Sequence, residues 1–228
     1  MIPALHPQWQ TLDLAEILAL PTAFLPIGYS NSLLSEGGAQ GAERLWERCR
    51  RAHGAVPNTV RLAAACREAG MRFVWFRYEI FRERYPATPM DEAQYRYWAE
   101  GKSWDEARKR WDADLVGEVK ALMRPGDAEI LYTSLGNVFI GTPLVPYLNA
   151  WGVRTVILSG NHLDWCIEQA ARSARDLGYM PIVVGDTCAA GREEDEGPTL
   201  SRLNNFFAPV ISTDTAIELI KKAMARRA

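Results

Sequence analysis

Three residue types that move protons or attack carbonyl carbon, histidine, aspartate and cysteine, fall within five positions at His162-Leu163-Asp164-Trp165-Cys166. With Asp164 as a helix N-cap, Cys166 takes the second helical position, where free backbone N–H groups and the positive end of the helix dipole stabilise a thiolate. A thiolate so placed is a candidate nucleophile for covalent catalysis. The alternative is structural, because a free cysteine is often a small core hydrophobe. Position favours chemistry. Thr155-Val156-Ile157-Leu158 is the kind of run that a buried parallel strand uses, and Ile167, Ala170, Ala171, Ala174 and Leu177 then recur at helical spacing up to Gly178. A strand-to-helix turn of this kind lies outside the carboxyl end of a strand, where open α/β sheets bind ligands.

The elements that must hold this turn alternate along the chain. Strands are expected at 22–27, 72–78, 128–132, 155–158, 180–184 and 210–211, and helices at 43–51, 58–68, before Trp151, after Cys166 and at 213–227. Pro26 is awkward for a central strand and marks the expected end of the first one. Strands alternating with helices call for a parallel sheet with right-handed crossovers. The expected fold is therefore α/β, a single three-layer domain of Rossmann type with about six mainly parallel strands flanked by helices. Residues 1–21 read as an N-terminal arm, 22–228 as the domain and 82–120 as a helical insertion; 191–197 reads as an acidic, mobile loop.

Carboxyl-end loops supply the candidate pocket residues. Tyr29 and Asn31 follow the first strand; Tyr132, Thr133 and Asn137 close the third and begin its loop; Glu79 stands just past the second. In the insertion, Trp98, Trp104 and Trp111, with Tyr95 and Leu115, fall near one side of a helical pattern interrupted by Gly101. Packing the insertion onto the domain is the favoured role for them, ahead of walling an aromatic substrate pocket. Arg108-Lys109-Arg110 reads as a solvated face rather than an anion site.

Composition removes several classes. A net charge of −2 with 24% charged residues is not the basic footprint of a nucleic-acid binder. No apolar run approaches the roughly 20 residues that span a bilayer, and Met1–Leu20 lacks the pattern of a signal peptide. A cytoplasmic protein is expected. Cys49, Cys66, Cys166 and Cys188 form no Cys-x-x-Cys pair, so neither zinc nor a disulfide framework is expected.

From about Val56 to Ile220 the chain resembles the isochorismatase-like cysteine hydrolases, a superfamily that includes nicotinamidases, carbamoylsarcosine amidases and isochorismatases. The resemblance is carried by 152–160 through Cys166, by Ala170 to Tyr179, and by Val183-Val184-Gly185-Asp186-Thr187-Cys188-Ala189-Ala190; Asn58 to Tyr78 is similar too. It implies Cys166 as nucleophile, a cis peptide bond at Asn161-His162, an oxyanion hole from the backbone N–H groups of His162 and Cys166, and a homodimer or larger homo-oligomer. The remaining catalytic pattern differs. The acid expected at the end of the first strand aligns with Gly28, the expected lysine with Thr133, and the metal-binding Asp-x-His of nicotinamidases is absent. No metal or cofactor is therefore expected.

Without that acid and lysine, the expected function is a divergent hydrolase of a small carbonyl compound, an amide, ester or related substrate, acting through the Cys166 thiolate with possible lyase-type chemistry. Glu79 is the leading stand-in base, followed by Asp164 and His162. Each has a structural alternative: a surface ion pair for Glu79, capping for Asp164, a backbone contribution alone for His162. Two further readings stand beside it, a pseudoenzyme that serves binding or assembly, and the ordinary amidohydrolase reaction with a relocated acid and base.

Overall fold

Six strands, β1 (Thr22–Ile27), β2 (Arg72–Tyr78), β3 (Ala128–Tyr132), β4 (Thr155–Asn161), β5 (Met180–Ala189) and β6 (Val210–Ile211), form one sheet in the order β3-β2-β1-β4-β5-β6. Every pairing is parallel. The computed structural model describes residues 1–80, 88–132 and 136–227. Its longer helices are α1 (Leu14–Ala19), α2 (Leu45–Cys49), α3 (Ala55–Glu68), α4 (Pro89–Ala99), α5 (Glu106–Ala113), α6 (Leu144–Ala150), α7 (Glu168–Asp176), α8 (Glu196–Phe206) and α9 (Thr213–Arg227).

The two faces of the sheet are sorted by the strand period of two. Ala23, Leu25 and Ile27 of β1, Val74 and Phe76 of β2, and Val156 and Leu158 of β4 meet α6, α7 and α8 on one side. Phe24, Phe73, Trp75 and Ile157 point the other way, into a core closed by α1, α3 and α9. Leu14 and Leu18 of the N-terminal arm are buried there, and the Arg227 guanidinium donates to the carbonyls of Leu18, Ala19 and Leu20.

Pro26 is not the end of β1. It pairs in register with Ser159 of β4, and β1 continues to Ile27. The proline is tolerated because the register with β2 involves only Ala23 and Phe24, so its missing N–H interrupts no ladder on that side. β4 likewise runs three residues beyond the apolar stretch. Ser159, Gly160 and Asn161 are poor strand formers by propensity, but each is held by a specific neighbour. Ser159 joins a buried hydroxyl cluster, Gly160 (φ +133°) admits the Ile27 carbonyl where a Cβ would overlap it, and Asn161 Oδ1 accepts from Ala189 N–H (3.2 Å) and from the Cys49 thiol.

The segment expected to be a mobile acidic loop is ordered differently. Glu193–Asp195 forms a 3-10 turn that leads directly into α8. Gly197 and Pro198 suggest a loop in sequence, yet they fall in the first turn of α8, where a backbone N–H has no helical partner and proline costs little. In the insertion, α4 begins at a capping box between Thr88 and Asp91, and α5 is capped by Asp105. Gly101 (φ +77°) lies between them.

Candidate active site

β4 ends at Asn161, and the peptide bond from Asn161 to His162 is cis. A one-turn π-helical segment, Leu163–Ile167, then carries Cys166 into α7. The cap of this segment is His162, whose carbonyl accepts from the N–H groups of Trp165 (3.3 Å) and Ile167 (3.1 Å). Asp164 is therefore not the N-cap. Its Oδ1 accepts from Gly191 N–H at 3.1 Å, and Cys166 takes the fourth position of the helical run rather than the second.

The His162 side chain reaches across to the loop after β1. Its Nε2 lies 3.2 Å from Glu43 Oε2, and the other carboxylate oxygen, Oε1, accepts from Trp98 Nε1 at 3.0 Å. Burial works to raise the Glu43 carboxyl, but the hydrogen bond and charge of His162, with the Trp98 hydrogen bond, bring it below the usual carboxylate range. The Trp98 ring lies 5.9 Å from the Trp165 ring, and Trp165 is 6.1 Å from the imidazole. A Cβ on Gly136 would stand 2.7 Å from Trp165, so that glycine leaves room for the indole.

These groups border a cavity of about 450 Å³ lined by Glu43, Tyr97, His162, Asp164, Trp165, Gly191 and Arg192. That volume lies within the range of small-molecule sites. Cys166, 4% exposed, is the chain neighbour of Trp165 but does not itself line this cavity.

The other sequence candidates are distributed more widely. Tyr29 is fully buried, on the α3 side of the sheet. Its hydroxyl contacts Thr59, Ser159 (2.8 Å) and the Thr187 carbonyl (2.8 Å). Asn31 ties the loop after β1 to the insertion, donating to the Trp111 carbonyl at 2.9 Å and accepting from Ser35. Asn137 caps its own loop through Phe139 N–H and reaches Ser173 of α7. The geometry thus gives Tyr29, Asn31 and Asn137 structural partners rather than a place in the cavity wall. Glu79, half-buried, stands one residue past β2 and is not among the residues that line this cavity. Tyr132 closes β3, in register with Tyr78, and Thr133 lies outside the described residues. Of the sequence candidates, His162, Asp164 and Cys166 share the turn.

Sequence reasoning missed Glu43 and Tyr97. No motif marks Glu43; the only available signal was that the loop after β1 must start at the carboxyl edge of the sheet. Tyr97 was overshadowed by its neighbour Trp98.

An isochorismatase domain model matches residues 22–215. The chain belongs to the isochorismatase family. Solved structures agree on the fold. A cysteine hydrolase from Pseudomonas syringae pv. phaseolicola superposes with a TM-score of 0.75 at 18% identity, covering 90% of this chain and 94% of that one. Nicotinamidase PncA from Bacillus subtilis gives 0.66 at 19% identity, with 85% and 100% covered. N-carbamoylsarcosine amidase from Thermoplasma acidophilum gives 0.62 at 22%, with 86% and 98% covered.

Within this isochorismatase-family chain, Gly28 occupies the place that the resemblance gives to the catalytic acid. It has φ +71°, and a Cβ there would overlap the Asn161 carbonyl oxygen. The three cysteines outside the turn are buried. Burial pushes the Cys49 and Cys188 thiols up to about 12 each, and raises Cys66 further. Among the described residues no three His, Cys, Asp or Glu side chains gather as a metal site requires, and no helix is long and apolar enough to cross a membrane.

Proposed function

We propose that the protein is a cysteine-dependent hydrolase of a small carbonyl compound, with Cys166 as nucleophile. The observation that carries this reading is the turn itself: a cysteine on a helical segment at the carboxyl end of β4, which lies inside the sheet, directly after a cis Asn161-His162 bond, in a chain of the isochorismatase family. Attack by the thiolate gives an acyl-Cys166 intermediate, and water releases the acid. An activated ester suits such a site better than an amide, because its leaving group departs without a proton from the acid that Gly28 replaces.

The test uses p-nitrophenyl acetate and iodoacetamide on the intact protein. A burst of nitrophenolate, and alkylation that maps to Cys166 at neutral pH, support the reading; both must vanish in Cys166→Ala. The protonated, buried thiols of Cys49, Cys66 and Cys188 should stay unlabelled. A second reading, a binding protein that retains the fold, is favoured by the 4% exposure of Cys166. An unreactive Cys166 without a burst would establish it.

A further inference from the structure

Resting on that reading, we infer that Asn161 is the positioning residue of the nucleophile turn: its side-chain amide ties the end of β4 to three neighbouring elements and so sets where the backbone around Cys166 stands. Asn161 is the last residue of β4 and is fully buried. Its Oδ1 accepts from the Ala189 N–H of β5 at 3.2 Å and from the Cys49 thiol of α2 at 3.4 Å, and its Nδ2 faces the Gly28 carbonyl, just past β1, at 3.5 Å. Two donors converge on one atom, which fixes that atom as the oxygen, since an amide nitrogen accepts nothing. Burial pushes the Cys49 thiol up to about 12, so it keeps the proton that it donates.

An apolar residue would fill this place as well, and a buried amide gains little in net stability once its desolvation is counted. What the amide adds is direction. A hydrogen bond weakens steeply away from its line, so partners on three separate elements leave the end of β4 one orientation. From there the order passes along the backbone. The carbonyl of His162, the next residue, accepts from the Trp165 and Ile167 N–H groups on either side of Cys166. A shift at Asn161 therefore moves the peptide groups before and after the sulfur. The turn is held at a second point from the same helix: Arg48, beside Cys49, donates to the Ala190 and Gly191 carbonyls, and the Gly191 N–H donates to Asp164. α2 thus grips the turn through two adjacent residues, neither of which enters the proposed chemistry.

Acyl transfer is sensitive to such placement. The sulfur must approach the carbonyl carbon in line, and backbone donors must already stand where negative charge develops on the oxygen, so that a shift of about 1 Å can cost about 10²-fold in rate. Alkylation by iodoacetamide displaces iodide and puts no charge on an oxygen. It needs the thiolate but not the placed donors, and the two reagents therefore separate position from ionisation.

The experiment measures the p-nitrophenyl acetate burst and the iodoacetamide alkylation of Cys166 in the full chain, with urea unfolding alongside. Asn161→Ala should lower the limiting burst rate constant about 10²-fold, while the half-saturating ester concentration and the alkylation rate stay near their wild-type values. Cys49→Ala leaves the sequence of the turn intact and removes one of the two donors to Oδ1; it should slow the burst about fivefold, the equivalent of one hydrogen bond, again with alkylation unchanged. A role in packing alone would lower the urea midpoint of both variants and leave the burst of the folded protein at the wild-type rate; that result overturns the assignment while the Cys166-dependent burst still stands. Burst and alkylation falling together would also overturn it, because the variant has then changed the ionisation or access of the sulfur and not its placement. Should Asn161→Ala fail to fold, Cys49→Ala decides by the same two criteria. No burst from the wild-type protein refutes the reading of Cys166 and this inference with it.

Discussion

Tyr29→Phe separates a core residue from a pocket residue. The Tyr29 hydroxyl has one proton, and the Thr187 carbonyl, which can only accept, takes it at 2.8 Å. The Thr59 and Ser159 hydroxyls then supply the remaining donors in a triangle with Tyr29, Ser159 lying 2.8 Å from each of the other two. Removing the hydroxyl orphans the carbonyl and leaves the two small hydroxyls to each other. Two lost hydrogen bonds at about 1 kcal/mol each, with part of the penalty for a buried unpaired carbonyl, give a loss of roughly 3 kcal/mol. At a urea slope of about 3 kcal/mol/M the unfolding midpoint should fall by about 1 M. The same variant should alkylate at Cys166 at the wild-type rate under native conditions, because burial holds the phenol well above its ordinary range, with a smaller contribution from Cys188, and leaves it no part in proton transfer. An unchanged midpoint together with slowed Cys166 chemistry would return Tyr29 to the site and refute the placement.

Other substitutions test the same reasoning. Gly28→Asp, which restores the acid of the family pattern, should gain no activity and should lose more than about 3 kcal/mol in urea unfolding, since it combines a left-handed backbone with overlap of the Asn161 carbonyl. Asp112 is buried with Oδ1 on Ala39 N–H and Oδ2 unpaired, and burial raises its carboxyl. Its favourable form is the protonated one, fully present below the unfolded value and lost as pH rises through the folded one, so Asp112→Asn should stabilise by about 1 kcal/mol at pH 8 and not at all near pH 3. Asp127 has the opposite sign. Burial opposes its ionisation, but Arg67, Trp75 and the Arg124 N–H outweigh it and lower the carboxyl. That stability is present above the unfolded value and lost as pH falls through the folded one, so Asp127→Asn should cost about 3 kcal/mol at pH 7 and converge with wild type in acid.

Much of the scaffold could be read from pattern because strands buried on both faces announce themselves as apolar runs. β2, β3 and β6 have the bounds expected of them. Where the reading stopped short, the holding force was tertiary. Ser159, Gly160 and Asn161 extend β4 through contacts with Thr59, Ile27 and Ala189, residues 28 to 133 positions away in sequence. α8 was hidden by Gly197 and Pro198, whose loop signal means nothing in a first helical turn. The pocket residues were the least readable. A carboxyl-end loop residue may turn its side chain into the cavity or back into the core, and Tyr29 and Asn31 turn towards partners that only the folded chain supplies.

Glycine at 28 and glycine at 160 mark where the carboxyl ends of β1 and β4 meet. The ends of β1 and β4 approach so closely that a Cβ on either glycine would meet the carbonyl of the other strand, at Asn161 or at Ile27. A side chain at position 28 would therefore require the ends of β1 and β4 to move apart. The next chain to return to this edge is the loop from Ser30 to Gly54, whose fold is fixed by Asn31 and Ala39 bonding the insertion. Within that loop Glu43 is the carboxylate that touches His162, at the turn after β4. The insertion closes the arrangement from the other side, because Trp98 shares the Glu43 carboxylate with His162. Trp98→Phe removes the donor to Glu43 Oε1, so the Glu43–His162 contact loses one of its two anchors and the variant should lose about 1 kcal/mol in urea unfolding.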